Sequence, residues 1–252
     1  MKKLFAIVLA LVLSCAFIPA MAESLTMATN AAFPPYEFIG DDGTPTGIDV
    51  EIADAIAKKL GYEGVEVQDM EFDSIIPAVS SGSAMVALAG LTATPERMNN
   101  VYFSFPYATG IQSIIVKEGS PITSADDLFV EGNNYTIGVQ LSTTGDLYST
   151  WDLEDEGLAT VSRFSTGNDA VMALISGKVD CVIIDNEPAK AYVAANEGLV
   201  ILETSYAVED YAIGISKNNV ELLGKVTAAL QDLIADGTVE NIINKYINAD
   251  AE

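Results

Sequence analysis

The chain has 252 residues, among them 12 basic and 36 acidic side chains but no histidine, and its formal charge is −24. So acidic a chain repels phosphate backbones and anionic lipid, which excludes nucleic acid as an expected partner. The absence of histidine removes the commonest general base and metal ligand, and we expect neither a metal site nor a cofactor.

The first residues form a pattern that is typical of a secretory signal. Two lysines precede an apolar stretch over residues 4–18, and Ala20-Met21-Ala22 is a small-x-small cleavage site. We expect cleavage after Ala22, so that residues 1–22 are a signal peptide and the protein acts in the periplasm or at the cell surface. The alternative is a lipoprotein signal that anchors the chain through Cys15. Leu13 and the apolar residues after Cys15 fit that alternative less well.

Apolar, β-rich runs alternate with amphipathic helical patterns along the rest of the chain, which predicts an α/β fold around parallel strands. Strands are predicted over residues 24–29, 65–69, 85–90, 112–117, 135–140 and 179–184. Helices are predicted over 48–60, 73–81, 170–176, 222–236 and 239–247. A helix–glycine–strand pattern occurs at Gly82 and again at Gly177, either by chance or because the chain forms two similar lobes. Since ligands of open α/β sheets bind beyond the carboxyl ends of strands, facing lobes would put residues 89–97 and 184–185 on opposite walls of a cleft.

The most informative segment covers residues 89–98. Thr94 is a typical helix N-cap and Pro95 a typical first helical residue, which places Arg97 in the first turn, near the positive end of the helix dipole. A cation is unfavourable there unless an anion binds to it. The guanidinium fork and the free N–H groups of the helix start can share one carboxylate. The alternative is a surface arginine paired with Glu96 or a nearby aspartate.

Two aromatic residues are candidates for contact with an apolar or cationic part of a ligand. Phe33 precedes two prolines that hold it in an extended loop, and Phe72 follows the strand predicted over 65–69. We expect the neighbouring Tyr36 and Phe38 to fill the core instead.

Polar residues follow two later strands. Thr143 and Thr144 stand at a predicted helix start, where they either cap the helix or present N–H groups to an anion. Asp185 ends an apolar strand, so its carboxylate either caps the next helix or faces an ammonium group. With Arg97 and the aromatic residues, these groups match the charges and the side chain of an α-amino acid zwitterion.

Taken in order, these motifs resemble the family 3 extracellular solute-binding proteins, the polar amino-acid-binding proteins of bacterial ABC importers. Examples are AGLTATPER at 89–97 and VIIDNEPA at 182–189, and the other matching segments are 28–38, 47–52, 75–78 and 138–145. The resemblance implies an α/β fold of two Rossmann-like lobes, joined by two crossover strands, with a ligand cleft between them. We expect lobe 1 to comprise residues 23–109 plus 209–252, and lobe 2 residues 110–208.

The resemblance also implies roles for individual residues. Arg97 binds the ligand carboxylate, helped by Thr92 and by the backbone at Thr143 and Thr144. Asp185 and the backbone at Ala89 and Gly90 bind the ammonium group. The ligand side chain lies in a pocket formed by Asn30, Phe33, Phe72 and Gln140. No residue is assigned a catalytic role.

Two of the positions that depart from the pattern of the family bear on the expected site. Many relatives have an acid where Asn30 stands, so Asn30 favours a neutral polar ligand such as glutamine over a cationic amino acid, which is the alternative. Ser142 replaces a frequent glycine, which we expect to restrict the loop.

The expected function is that of a monomeric, secreted receptor. It closes its lobes around one free L-amino acid and delivers it to the membrane permease of an ABC importer. One alternative is an enzyme on the same scaffold, such as a cyclohexadienyl-type dehydratase, for which Asp185 and Glu187 are the only acids expected near the cleft. A second alternative, a sensory ligand-binding module, is not expected, because the sequence shows no signalling segment.

Overall fold

The computed structural model describes residues 23–247. The predicted signal peptide, including Cys15 and the cleavage site after Ala22, lies outside the described residues. Within 23–247, no helix combines the length and the apolar character that a membrane crossing requires.

The secondary structure follows the predicted alternation of strands and helices. The strands are β1 (Leu25–Thr29), β2 (Ala32–Phe33), β3 (Glu37–Ile39), β4 (Pro45–Thr46), β5 (Val65–Asp69), β6 (Val86–Ala87), β7 (Val101–Lys117), β8 (Tyr135–Gln140), β9 (Ala159–Phe164), β10 (Cys181–Asp185), β11 (Leu199–Ile201) and β12 (Ala207–Ser216). The helices are α1 (Ile48–Lys59), α2 (Phe72–Ser81), α3 (Pro95–Met98), α4 (Thr144–Ser149), α5 (Gly167–Ile175), α6 (Asn186–Ala195), α7 (Val220–Ala235) and α8 (Thr238–Ile247). A 3₁₀ helix covers Ala125–Phe129, and a π-helical turn over Thr150–Glu154 continues α4.

One large sheet runs through both halves of the molecule, in the order β5-β1-β6-β12-β7-β10-β8-β9, with β11 on the edge of β7. The strands β5, β1 and β6 are parallel in the first lobe, and β10, β8 and β9 are parallel in the second. The long antiparallel strands β7 and β12 connect the lobes, and Glu209 and Asp210 pair there with Gly110 and Thr109. These are the segments expected to cross, and the exact residues that divide the lobes remain a prediction.

Burial explains where the helices lie. In α1, Ile48, Ile52 and Ile56 form one buried stripe, as expected from their spacing of four residues. The C-terminal helices α7 and α8 both pack against α1, so the last described part of the chain completes the first lobe. Within α7, Val226 and Leu230 are fully buried.

Two predicted strands differ from the structure. The strand expected over 112–117 is the second half of β7, which starts at Val101. Pro106 and Gly110 concealed the first half, because proline and glycine usually mark turns. Of the strand expected over 85–90, only Val86 and Ala87 form a strand, and residues 89–90 form a bend. A small sheet of β2, β3 and β4 replaces the extended loop expected around Phe33.

Gly47 fixes the start of α1. Its φ is +126°, and a Cβ added there would lie 2.3 Å from the carbonyl oxygen of Tyr36. The amide N–H groups of Ile48 and Asp49 donate to the carbonyl oxygens of Pro35 and Tyr36, so the hairpin that carries Phe33 is bonded to the first turn of α1. The close approach of the two backbones therefore requires glycine.

We predict that Gly47→Ala lowers the free energy of unfolding by more than about 3 kcal/mol, because strained dihedrals combine with a backbone clash. Gly61→Ala is the matched control. Its φ is +89° and nothing lies within 4 Å of the added Cβ, so only the strain of about 1 kcal/mol remains. Urea unfolding of both variants measures the difference, and equal losses would contradict the assigned backbone contact.

Candidate functional site

The candidate site lies where parallel strands of the two lobes end. Asn30 follows β1 and Phe72 begins the helix after β5, whereas Gln140 and Asp185 are the last residues of β8 and β10. They border a small, nearly closed cavity between the lobes. The residues that line it are Asn30, Phe33, Glu37, Phe72, Ala89, Gly90, Arg97, Gln140, Thr143, Thr144 and Asp185. This is the arrangement expected of ligand sites in open α/β sheets.

The cavity brings together ten of the eleven residues predicted to bind a ligand. The exception is Thr92, which lines the adjoining groove on the side of the crossover strands. Its Oγ1 is buried without a hydrogen-bond partner, and its carbonyl oxygen accepts a hydrogen bond from Arg97. The roles that the family resemblance implies for these residues remain predictions.

Arg97 is buried in the first turn of a short helix, as predicted. Thr94 Oγ1 accepts from the Arg97 N–H at 3.2 Å, so Thr94 is the N-cap. The guanidinium donates through Nη1 to the Thr92 carbonyl oxygen at 2.8 Å and through Nη2 to the Ser142 carbonyl oxygen at 3.0 Å. It also lies 5.3 Å from the centre of the Phe72 ring. The alternative of a surface ion pair with Glu96 does not fit this burial.

Burial lowers the pKa of Arg97 to about 10, while the charges of Glu209 and Asp185 act against that shift. The side chain therefore keeps its charge at neutral pH. A guanidinium has five N–H donors, and two of them bond to neutral carbonyl oxygens here. An arginine held in this way can still receive a carboxylate in bidentate geometry.

Asp185 does not cap the helix that follows it, since its side chain makes no capping hydrogen bond to α6. Its Oδ2 accepts from Gln112 Nε2 at 2.7 Å, and its Oδ1 accepts from the Tyr211 hydroxyl. Gln112 belongs to β7 and Tyr211 to β12, so both crossover strands orient this carboxylate. Burial raises the pKa of Asp185 well above its usual range, and the charge of Glu209 raises it further.

Glu209 is a second buried acid next to the cavity, and it belongs to β12. Its Oε2 accepts from Thr144 Oγ1 at 2.8 Å and from Gln112 Nε2 at 3.1 Å, while its Oε1 is buried without a hydrogen-bond partner. The same Gln112 amide thus lies between two carboxylates. This network connects the crossover strands to the start of α4.

Glu37 and Asp49 form a third acidic group, beneath Phe33. Asp49 accepts from the Gly90 N–H at 2.9 Å and from the Tyr107 hydroxyl at 2.8 Å. Burial raises the pKa of Asp49 to about 6. Burial also raises the pKa of Glu37 well above its usual range, and the nearby charge of Asp49 raises it further.

In the part of the chain that the structure describes, three hydrogen bonds cross the cleft without involving the crossover strands. Gln140 Nε2 donates to Asn30 Oδ1 at 2.9 Å, Arg97 Nη2 donates to the Ser142 carbonyl oxygen, and the Tyr192 hydroxyl donates to the Ala32 carbonyl oxygen at 2.9 Å. Because all three are polar, they can break when the lobes separate and water replaces the partner.

Several residues of the site were not predicted from the sequence. Asp185 and Glu187 were expected to be the only acids near the cleft, but Glu37 lines the cavity and Glu209 accepts a hydrogen bond from Thr144, which also lines it. Glu37 lies opposite Phe33 in the β2–β3 pair, and opposed residues share one face of a hairpin. Had a hairpin been predicted across the two prolines in place of an extended loop, Glu37 would have been expected beside Phe33.

Residues 25–249 match the model of the bacterial extracellular solute-binding proteins, family 3. The chain belongs to this family. The arginine-binding extracellular protein ArtP of Bacillus subtilis (strain 168) is 34% identical over 231 residues, which cover 90% of this chain and 88% of ArtP. The resemblance found from the sequence motifs is confirmed.

Solved structures agree with the two-lobed α/β fold. The structure of an ancestral arginine-binding protein bound to arginine is 39% identical, with a TM-score of 0.83. A structure of an ancestral arginine-binding protein bound to glutamine is 40% identical, with a TM-score of 0.81. Each covers 90% of this chain and is itself covered to 99%. The predicted fold is therefore confirmed.

We predict that Asp49 makes the protein less stable as the pH rises, the reverse of the usual effect of a paired carboxylate. Its pKa is about 6 in the folded chain against an ordinary 3.8. The folded state therefore binds more protons between these values, and stability falls as the pH rises through that window. Between pH 4 and pH 7, the free energy of unfolding of the wild type should fall by roughly 1–3 kcal/mol more than that of Asp49→Asn, as measured by urea unfolding. A gap that stays constant or widens in favour of wild type would contradict this.

Proposed function

We propose that this protein captures one L-amino acid between its lobes and supplies it to an ABC importer. The observation that supports this most directly is the burial of opposite charges, Arg97 and Asp185, on facing walls of one small cavity. An α-amino acid carries a carboxylate and an ammonium group on one carbon atom, so it can neutralise both walls at once. Few other small molecules carry a carboxylate and an ammonium group so close together.

In the proposed complex, the ligand carboxylate binds the guanidinium of Arg97 and the N–H groups at the start of α4. Thr143 caps this helix by accepting from the Asp146 N–H, so the cap does not use the N–H groups of Thr144 and Gly145 at the helix start. The ligand ammonium binds Asp185. Because the partners lie on different lobes, only the closed form satisfies them all, and the ligand therefore favours closure by a hinge motion.

We further propose that the ligand has a cationic side chain, with arginine as the first candidate. Glu37 is the reason to prefer this over the neutral ligand that Asn30 alone favoured. Its buried carboxyl group lines the cavity beside Phe33, and its Oε2 has no hydrogen-bond partner. A guanidinium donates to a carboxylate in a planar geometry and stacks on aromatic rings such as Phe33 and Phe72. The name of the relative ArtP agrees with this choice.

Glutamine is the second candidate. The amide groups of Asn30 and Gln140 line the same cavity and already bond to each other, and one of the similar solved structures contains glutamine. A neutral amide ligand would bond to these two amides and would not need a charge on Glu37.

We propose that the protein is secreted, acts as a monomer and docks on a membrane permease. Membership of an extracellular family supports the location. We also propose that it catalyses no reaction. The relatives are named as binding proteins, and the acids of the cavity already bond to neighbouring side chains or backbone. Incubation with a cyclohexadienyl acid, followed by absorbance, tests for dehydratase activity, and product formation would overturn this part.

Arg97→Ala should weaken L-arginine binding by more than about 30-fold, since removal of one partner of a buried charge leaves the ligand carboxylate unpaired. Isothermal titration with a panel of L-amino acids measures the loss. Arg97→Lys is the control variant, which keeps the charge without the fork and should bind with intermediate affinity. Full affinity in Arg97→Ala would refute the proposed site.

Glu37→Gln should separate the two ligand candidates. We expect L-arginine to bind more than about tenfold more weakly and L-glutamine to change less than about threefold. Because burial and the bonded Asp49 raise the pKa of Glu37, arginine binding by the wild type should strengthen with rising pH more steeply than glutamine binding. The variant should lose this difference.

The matched control is Glu187→Gln. Glu187 lies near the cleft, but it pairs with Lys190 at 2.6 Å and does not line the cavity. Its replacement should leave both affinities unchanged. Equal effects of Glu37→Gln on arginine and glutamine would show that Glu37 does not meet the ligand side chain.

A further inference from the structure

Both arginines of the chain, Arg97 and Arg163, converge on one turn of the backbone at Ser142. On one side, Ser142 presents its carbonyl oxygen to Arg97 Nη2 at 3.0 Å across the cleft. On the other side, the Ser142 N–H donates to Asp146 Oδ2 at 2.9 Å, and Asp146 Oδ1 accepts from Arg163 Nε at 2.8 Å. A continuous chain of charged and polar contacts thus leads from Arg163 to the proposed carboxylate site.

The backbone at Ser142 is strained. Its φ is +63°, and Asn134 is the only other non-glycine residue with positive φ in the described part of the chain. A serine prefers other conformations, so some interaction has to hold it in the left-handed region. The Ser142 N–H donates to the Asp146 carboxylate, and this hydrogen bond can hold Ser142 in that conformation.

Asp146 is itself held in place. Its side chain is 8% exposed, and Arg163 approaches it from β9. The same guanidinium donates through Nη2 to Glu154 Oε2 and to Thr150 Oγ1, each at 2.7 Å. These contacts orient the guanidinium that bonds to Asp146.

We propose that Asp146 and Arg163 are positioning residues of a latch, in which they hold Ser142 in the left-handed conformation so that its carbonyl oxygen meets Arg97 when the lobes close. This rests on the proposed function, in which Arg97 binds the ligand carboxylate. Arg97 then contacts the ligand carboxylate and the Ser142 carbonyl oxygen of the opposite lobe at the same time. Carboxylate binding and lobe closure therefore favour each other. The N–H groups of Thr143 and Thr144 follow directly in the chain and are oriented by the same turn.

The test is a double-mutant cycle. Asp146→Ala removes the acceptor, and Ser142 should relax, so that L-arginine binds about tenfold more weakly and dissociates faster. Ser142→Gly alone should change the affinity less than about threefold, because glycine adopts positive φ without help. In the Ser142→Gly background, Asp146→Ala should then weaken L-arginine binding by less than about threefold. This rescue is the outcome that a general structural role of Asp146 does not produce.

Asn134→Gly is the matched control, since it places glycine at a left-handed position of the same lobe, on the surface. It should rescue nothing. An unchanged affinity in Asp146→Ala, or an equal loss in both backgrounds, would overturn the latch while leaving the amino-acid receptor intact.

If the wild type binds no amino acid, the proposed function fails, and urea unfolding of the same four proteins still decides the positioning role. Asp146→Ala should lower the unfolding midpoint, and Ser142→Gly should recover at least about half of that loss, because the strained residue is gone. Additive effects of the two substitutions on the midpoint would overturn the proposal.

Discussion

The site depends on the guanidinium of Arg97, which is buried at the cleft between the lobes. The loss of water acts against this charge, and the contacts that it makes with the described residues are neutral: two carbonyl oxygens and the face of Phe72. One of these carbonyl oxygens comes from each lobe. The favourable partner that remains for such a group is an anion, and the N–H groups at the start of α4 add to the same preference.

The opposite side of the cavity is acidic, and its carboxyl groups are supported in three different ways. Gln112 and Tyr211 bond to Asp185, Thr144 and Gln112 bond to Glu209, and Asp49 shares a hydrogen bond with Glu37. Buried acids without such donors would be strongly destabilising. Gln112 and Tyr211, the two donors to Asp185, belong to β7 and β12, the strands that join the lobes. The crossover strands therefore orient the carboxyl group of Asp185.

Local signals in the sequence were sufficient where one residue determines one turn. Thr94 and Pro95 predicted the helix that buries Arg97, and the ends of β8 and β10 placed Gln140 and Asp185 at the cleft. Glu37, Gln112 and Glu209 were not predictable in this way. Their position depends on pairing between distant strands: the β2–β3 hairpin turns Glu37 into the cavity, and β7 must cross between the lobes before Gln112 can reach Asp185. Pro106 and Gly110 usually mark breaks and concealed the first half of β7, so the crossing was expected from the family resemblance alone.

The polar character of the contacts between the lobes explains how a small ligand can control their closure. Each direct hydrogen bond across the cleft contributes only about 1 kcal/mol, because water replaces the partner when the lobes separate. Three such bonds add only a few kcal/mol to the closed form, which is within the range that one ligand can shift. In the proposed complex, the ligand adds two charged contacts, to Arg97 on one lobe and to Asp185 on the other, and these favour the closed form further.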